Sequence, residues 1–514
     1  MPKSKPYRFT MHAIAAAFLT TSLTAPLVAQ AALPHLGLER DATNHALPDG
    51  WTLYAHSGQP IPGTPYTLAY AGPPVYSAPG VVYSHAAVDS PYATQLVPAI
   101  IRVDANGPSL VYVQGETDPG GIGTHFSLLD DLYASSGDCC AFYVHGLPGE
   151  AALLSGSSTQ NLALLVHDPG PPTLPGLHLD AGSPDLKLLL TEGCEVIFEA
   201  QSTPLPPATQ IESSLQLWSP SAGTQPILRT GEPLPNTMTF VSPYFWTPHF
   251  VGESTANEAG LVASLVFTRE LFDWQTDVPA CALVTPQTTH VFARAGELIP
   301  GTNLPIEYHL RPSLSPSGTV VLPLLTSNSS ALARYAEVSG QMVGSLICQT
   351  GDPIFRGTAQ AGFLKDPDQV QQVLDDGSIA FAGWDMTDTP CLFQKNPSGP
   401  LNLIVRTGDP VPDLPGRHFQ PAFPYCFTPE GRILFASEVA SNPSVFGFFT
   451  YSPADQEIRT LIYTHMPLLG STVETFEVLP PGRNGFSSGF HSSGAFAFFY
   501  LLEDGRSGII HVAP

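Results

Sequence analysis

Gln420 to His465 read QPAFPYCF, TPEG, RILFASEVA, SNPS, VFGFFTYS, PADQ and EIRTLIYTH, and this stretch decides the fold. Four runs rich in aromatic and β-branched residues suit strands. Proline, glycine and aspartate stand where the chain must reverse between them. The stretch therefore predicts one four-stranded antiparallel sheet.

Working outward, the TPEG turn has seven counterparts: Ser77-Ala78-Pro79-Gly80, Ser135-Ser136-Gly137, Thr191-Glu192-Gly193, Asn257-Glu258-Ala259-Gly260, Ser315-Pro316-Ser317-Gly318, Asp375-Asp376-Gly377 and Ser492-Ser493-Gly494. Their glycines lie 57, 56, 67, 58, 59, 54 and 63 residues apart. A period of that size marks a propeller, a solenoid or an array. A second motif alternates with the first, clearest in Arg229-Thr230-Gly231-Glu232-Pro233, Arg294-Ala295-Gly296-Glu297, Gln349-Thr350-Gly351-Asp352-Pro353 and Arg406-Thr407-Gly408-Asp409-Pro410. Weaker forms occur at His56-Ser57-Gly58-Gln59-Pro60, Gln114-Gly115-Glu116, His167-Asp168-Pro169 and Tyr463-Thr464-His465.

The order of the pieces predicts how the array ends. The repeats begin on a closing-type strand, Trp51 to His56, and stop after a third-type strand, Gly508 to Val512. The N-terminal strand can supply the missing outer strand of the last unit and so leave no open edge. The expectation is an all-β, closed eight-bladed β-propeller of four-stranded antiparallel blades spanning 51–514. Seven or nine blades are the alternatives, because the second and third repeats are degenerate. Asp366 to Leu374 and Phe126 to Tyr133 have helix-like patterns but fall where a blade's innermost strand belongs, so they are assigned to loop and strand.

The repeats resemble known families. Ser315-Pro316-Ser317-Gly318-Thr319-Val320-Val321-Leu322 and Thr428-Pro429-Glu430-Gly431-Arg432-Ile433-Leu434-Phe435 look like the blade repeat of TolB-type propellers. The longer period, the Arg-Thr-Gly-Asp-Pro-x-Pro motif and Asn257-Glu258-Ala259-Gly260-Leu261-Val262-Ala263 resemble secreted bacterial proteins built from tandem Asn-x-x-Gly repeats. Only one copy keeps that asparagine, and the sorting anchor common in those proteins has no counterpart here. The resemblance implies a propeller without implying an activity.

Residues 1–31 read as a secretory leader: Lys3, Lys5 and Arg8, then an apolar stretch from Met11 to Val28, then Ala29-Gln30-Ala31. Residues 32–50 form a short lead into the repeats. Cleavage near Ala31 predicts a secreted or periplasmic protein, with no later run long enough to anchor it in a membrane. Removing the leader's three cations takes the formal net charge from −24 to −27, which argues against nucleic acid as a partner. With 45 Gly and 54 Pro but 43% hydrophobic residues, the composition is turn-dense and globular.

Seven cysteines are too few for a disulfide scaffold in a chain of this length. Cys139 and Cys140 follow Gly137, and Cys194 follows Gly193, so they occupy nearly equivalent strands of neighbouring repeats. A bridge from Cys194 to one of that pair is expected. No Cys/His spacing supports a metal, and no cofactor is expected.

Two sets of side chains are candidates for function. The acids after the second motif's glycines, Glu116, Glu232, Glu297, Asp352 and Asp409, form either a ring of functional carboxylates or turn residues that accept backbone N–H groups. If the strand before each glycine turn is innermost, the channel is lined near Tyr76, Tyr133, Lys187, Trp246, Arg311, Gln372, Tyr425 and His491. Lys187 and Arg311, joined by His309 and His491, would receive an anionic group such as a uronate, sulfate or peptide carboxylate. The alternative is that Arg311 pairs with a neighbouring acid and the histidines are satisfied turn residues.

Function is left between two classes. One is a monomeric binding or scaffold module that holds a glycan, peptide or partner protein at one mouth of the ring. The other is a polysaccharide-degrading hydrolase or lyase with acid and base carboxylates over the channel. No Gly-x-Ser-x-Gly nucleophile elbow is present.

Overall fold

Alternating burial in Ile433–Ala440 shows how the apolar runs are used. Ile433 and Phe435 pack toward the preceding sheet, and Leu434 and Ala436 toward the following one. A strand sandwiched on both faces needs apolar residues at successive positions, which is why these runs do not alternate with polar ones.

A computed structural model describes residues 47–115, 127–134, 137–145, 151–168, 177–178, 188–191, 193–202, 212–229, 239–241, 254–256, 262–270, 273–285, 288–310, 312–428, 431–440, 445–479, 489–490 and 493–513. Among these the structure is all strand and turn, with no helix. The strands fall into eight sheets, spanning 67–113, 127–168, 177–229, 239–292, 308–349, 353–406, 418–463 and 467–512, called here the first to the eighth. Both segments with a helix-like pattern are strands, Ser127–Ala134 and Ala359–Val373.

The sheets are arranged as a propeller. Ser127–Ala134, the first strand of its sheet, lies beside Val75–Ala78 on one side and Leu188–Leu190 on the other. Farther along, Ala359–Val373 lies between Ser313–Leu314 and His418–Phe427 in the same way. First strands thus converge on a common axis, and the cores sit between sheets rather than inside them. Tyr83 and Ile100 of the first sheet meet Phe142 and Leu154 of the second, for example. Phe448 of the seventh meets Phe496 and Phe498 of the eighth.

The second motif is the linker that carries the chain from one sheet into the next, and its bonding is repetitive. Gly58, Gly296, Gly351, Gly408 and His465 each donate their backbone N–H to a residue at the start of the next sheet: Leu68, Ile306, Leu364, Phe419 and Val473, at 2.6 to 2.8 Å. That same residue donates back to the carbonyl of the next linker position, Gln59, Glu297, Asp352, Asp409 or Met466, at 2.8 to 2.9 Å. The position before the glycine ties to the third strand of its own sheet, as Thr350 does to Ser330 at 2.9 Å and Thr407 to Pro390 at 3.0 Å. Three residues beyond the glycine position a buried aliphatic side chain, Ile61, Ile299, Ile354, Val411 or Leu468, enters a core. The linker glycines are left-handed, with Gly408 at φ 94°, and His465 adopts φ 71° in their place.

The first motif closes the opposite end. In Thr428-Pro429-Glu430-Gly431, Gly431 N–H bonds Thr428 O at 2.8 Å, and Arg432 donates to the Thr428 hydroxyl at 3.3 Å. The second and third repeats depart from this by one residue: Asp138 and Cys194, not Gly137 and Gly193, take the left-handed position, at φ 56° and 59°. That shift sets Cys194 against Cys139, and the two form a disulfide with Cα atoms 5.8 Å apart that ties the second sheet to the third. Asp138 also receives Arg102 Nε at 2.9 Å and the Tyr83 hydroxyl at 2.9 Å from the first sheet. Three consecutive sheets are therefore clamped at one corner.

The expected seam is present as a pairing. Trp51–His56 runs antiparallel to Ser507–Val512, with Trp51 opposite Val512 and His56 opposite Gly508, and forms the outer strand of the eighth sheet. It also touches the first sheet through Thr67–Ala71. His511 stacks on Tyr54 of the seam strand, centroids 4.7 Å apart, and burial holds its imidazole pKa below the usual value.

Three outcomes are expected. Gly408→Ala should cost about 1–2 kcal/mol by forcing an L residue left-handed, whereas His465→Gly, already matched to that backbone, should change stability by less than about 0.5 kcal/mol; denaturant titration of both checks this. Peptide mapping of the oxidised protein should find Cys139 joined to Cys194, and at a sequence separation of 55, removing the bridge should cost about 4 kcal/mol. Because His511 takes up its proton less readily folded than unfolded, its share of stability is complete above about pH 6.5 and is lost as pH falls below it. His511→Phe should thus lose less Tm than the native chain between neutral pH and about pH 5.

Candidate ligand-binding face

Antiparallel connectivity gives the propeller two unlike faces. One carries the Gly turns and the third-to-fourth strand turns; the other carries the linkers and the second-to-third strand loops. Four of the five described linker locks also shape the strand beyond them. Strand register slips by a bulge directly after Leu68, Leu364, Phe419 and Val473, the residues that the linkers hold. A bulge re-aims the next side chains out of the alternating pattern. Two residues past the lock stand Tyr70, Tyr308, Asp366, Pro421 and Thr475. Tyr70 is 40% exposed and Tyr308 63%, although both sit on first strands.

Exposed apolar side chains concentrate here. Among the described residues, Tyr92 and Leu96 stand on a second-to-third strand loop, Leu298 and Leu304 on a linker, and Phe363 and Met386 side by side, with Met386 N–H on the Phe363 carbonyl at 3.0 Å. Phe423 and Phe446 add to them. The opposite face exposes Val338 and Val343, which flank one third-to-fourth strand turn. Leaving large apolar groups in water on one side of a fold is the mark of a surface that meets something else.

Charge on this face is unbalanced. Arg406 pairs with Asp385 at 2.9 Å, Arg356 with Asp409 at 2.5 Å, Arg506 with Asp504 at 2.7 Å, and Lys365 with Asp388. Asp385 is buried, but hydrogen bonds from Thr387 and Thr389, with Arg406 beside it, outweigh desolvation and hold its carboxyl below the usual range. Glu307, Glu474 and Glu477, all on or next to first strands, carry no ion pair among the described residues. Burial alone pushes the Glu477 carboxyl up.

The acids of the linker motif serve the turn. Asp409 accepts the Arg406 N–H at 2.8 Å, Asp352 that of Gln349 at 2.9 Å, and Glu297 that of Arg294 at 3.0 Å, and in the first linker the amide of Gln59 does the same for His56 at 3.2 Å. A neutral amide can stand in because the role is acceptance of a backbone N–H. Glu116 and Glu232 lie outside the described residues.

Of the four candidate binding residues, Lys187, Arg311 and His491 lie outside the described residues. His309 is described: its Nε2–H donates to the Ala293 carbonyl, toward the preceding sheet, and desolvation pulls its pKa down despite that bond. Among the described residues no group of three or more His, Cys, Asp or Glu side chains could hold a metal ion. Cys140, Cys281, Cys348, Cys391 and Cys426 are buried thiols whose pKa values burial raises, which removes their nucleophilicity. Tyr70, Tyr308 and Glu477 were not legible as site residues, because neither strand exposure nor a bulge such as those before Tyr70 and Thr475 leaves a signature in the sequence.

No protein-family model matches the chain, and no curated protein sequence matches it. Solved structures similar to it include two β-propellers. The Dos1 propeller matches at 12% identity and TM-score 0.39, covering 87% of this chain and 94% of that one. The β-propeller domain of the Trilobed protease from Pyrococcus furiosus matches at 8% identity and TM-score 0.38, over 77% and 98%. An acylaminoacyl peptidase from Pyrococcus horikoshii matches at 9% identity and TM-score 0.37, over 84% of this chain and 58% of that one. The chain itself is an all-β protein of propeller arrangement.

Proposed function

We propose that this chain is an exported binding or scaffold propeller that takes its ligand, a glycan, a peptide or a partner protein, on the linker face. Ten of the twelve exposed large hydrophobic side chains among the described residues belong to that face or to the first strands that open onto it, and this asymmetry carries the reading. The repeats supply the scaffold, and the side chains two residues past each lock supply the variable surface.

Two finer points belong to the same proposal. The eight sheets are the blades of one closed ring whose eighth blade is completed by Trp51–His56; supporting this are the seam pairing and the side-by-side first strands. Residues 1–31 direct export, and the Cys139–Cys194 bridge, which requires an oxidising compartment, supports that destination. Linker and turn motifs favour kinship with the secreted Asn-x-x-Gly repeat proteins.

Screening the purified chain against glycan and peptide panels, with product analysis in parallel, tests the function. A ligand held without turnover is expected, weakened at least tenfold by Tyr308→Ala and less than twofold by Val343→Ser on the opposite face. Cleavage of a polysaccharide would replace this reading with the hydrolase or lyase, and equal losses from both variants would remove the linker face from it.

A further inference from the structure

The seam between the last and first sheets holds a carboxyl and a phenol against one shared ring. Glu477 ends the strand Ser471–Glu477 and stands directly opposite Phe499 on the neighbouring strand. Cross-strand partners project to the same side of a sheet. The Phe499 ring packs edge-on against Tyr70 of the first sheet, centroids 5.2 Å apart. Glu477 therefore projects into the same gap as Tyr70, and the pair is close enough that the carboxylate raises the Tyr70 pKa after burial has done so.

This pair is open at one side. Tyr70 is 40% exposed, with its ring packed against Phe499. Glu477 is half-buried, is joined by no hydrogen bond or ion pair among the described residues, and lies on the strand that also exposes Glu474 and Thr475. A half-buried carboxylate without a counter-ion is costly to keep ionised. An aromatic face beside it attracts cations through its quadrupole. Together the two groups offer an incoming cation what neither offers alone, on a face whose own Arg and Lys side chains are largely engaged by Asp385, Asp388, Asp409 and Asp504.

We infer that Tyr70 and Glu477 form a subsite for an ammonium or guanidinium group, the side chain of a basic peptide segment bound across the linker face. The inference rests on the binding reading above and narrows its ligand to a peptide with Lys or Arg. It reverses the sign of the ligand expected from Lys187, Arg311 and the histidines: at this point on the face the protein brings the negative charge.

Isothermal titration with acetylated, amidated hexalysine at fixed salt, with hexaglutamine as the neutral control, tests it. The native protein should bind hexalysine and not hexaglutamine. Glu477→Gln should weaken hexalysine at least tenfold, and Tyr70→Leu should weaken it while Tyr70→Phe retains it. Glu337→Gln, an exposed acid on the opposite face, should change it less than twofold. Folding is controlled by Tm, which Glu477→Gln should leave unchanged or raise at neutral pH, since it removes a half-buried charge. Failure of the native protein to bind hexalysine, or equal losses from Glu477→Gln and Glu337→Gln, would overturn the subsite. Should a panel ligand sensitive to Tyr308→Ala be found in that event, the binding face stands and only the cationic subsite falls.

Discussion

Two backbone hydrogen bonds, repeated from sheet to sheet, hold the architecture together: the N–H of the linker glycine to the next first strand, and that strand's N–H back to the following carbonyl. Bonding both ways fixes the angle at which the chain leaves one sheet and enters the next. A propeller needs that angle to be the same each time, because small differences accumulate around the axis. The left-handed backbone at Gly408 is what turns its N–H toward Phe419, and the acid next in sequence caps the turn from the other side. The buried aliphatic three residues beyond the glycine position then adds apolar burial to the fixed geometry.

The lock also decides what the protein can show to a ligand. Four described first strands slip register directly after the locked residue, so the same constraint that sets the angle between sheets displaces the next side chains from the cores. Tyr70, Asp366 and Thr475 are displaced in this way. Had the strands remained regular, alternation would have sent these positions into the gaps between sheets. Scaffold and surface thus arise from one local geometry, with the scaffold residues constant and the displaced ones free to differ.

How much of this could be read beforehand depends on what each feature requires of the sequence. The all-β propeller arrangement and the pairing of Trp51–His56 with Ser507–Val512 were legible because they derive from the order of turn motifs, and turns demand particular residues: Thr428 and Gly431 at one end, Gly408 and Asp409 at the other. The disulfide was legible as far as Cys194, but its partner hinged on a left-handed residue falling at Asp138 and Cys194 instead of the neighbouring glycines. The carboxylates of the linkers read equally well as a functional ring or as turn caps until the Arg406 and Gln349 N–H groups were placed on them. Site residues were the least legible. The search for rare cations led to His309, whose imidazole faces a backbone carbonyl, and passed over Glu477, one of many acids in a chain with 44 Asp and Glu.

An acid in so acidic a chain becomes informative only through its surroundings. Asp385 is more deeply buried than Glu477, yet three Thr donors and Arg406 satisfy it, so its charge is already matched within its own sheet. Glu477 has Phe499 opposite it and the Tyr70 ring across the seam, and neither is cationic. Removing water from a carboxylate without supplying a counter-charge is destabilising, so the fold gives up stability at this point. The junction of Tyr70 with Phe499 is one place where such a cost can be carried, since the other junctions between sheets need not copy it. The asymmetry that the repeats suppress elsewhere is therefore available here, beside the sheet in which Trp51–His56 pairs with Ser507–Val512.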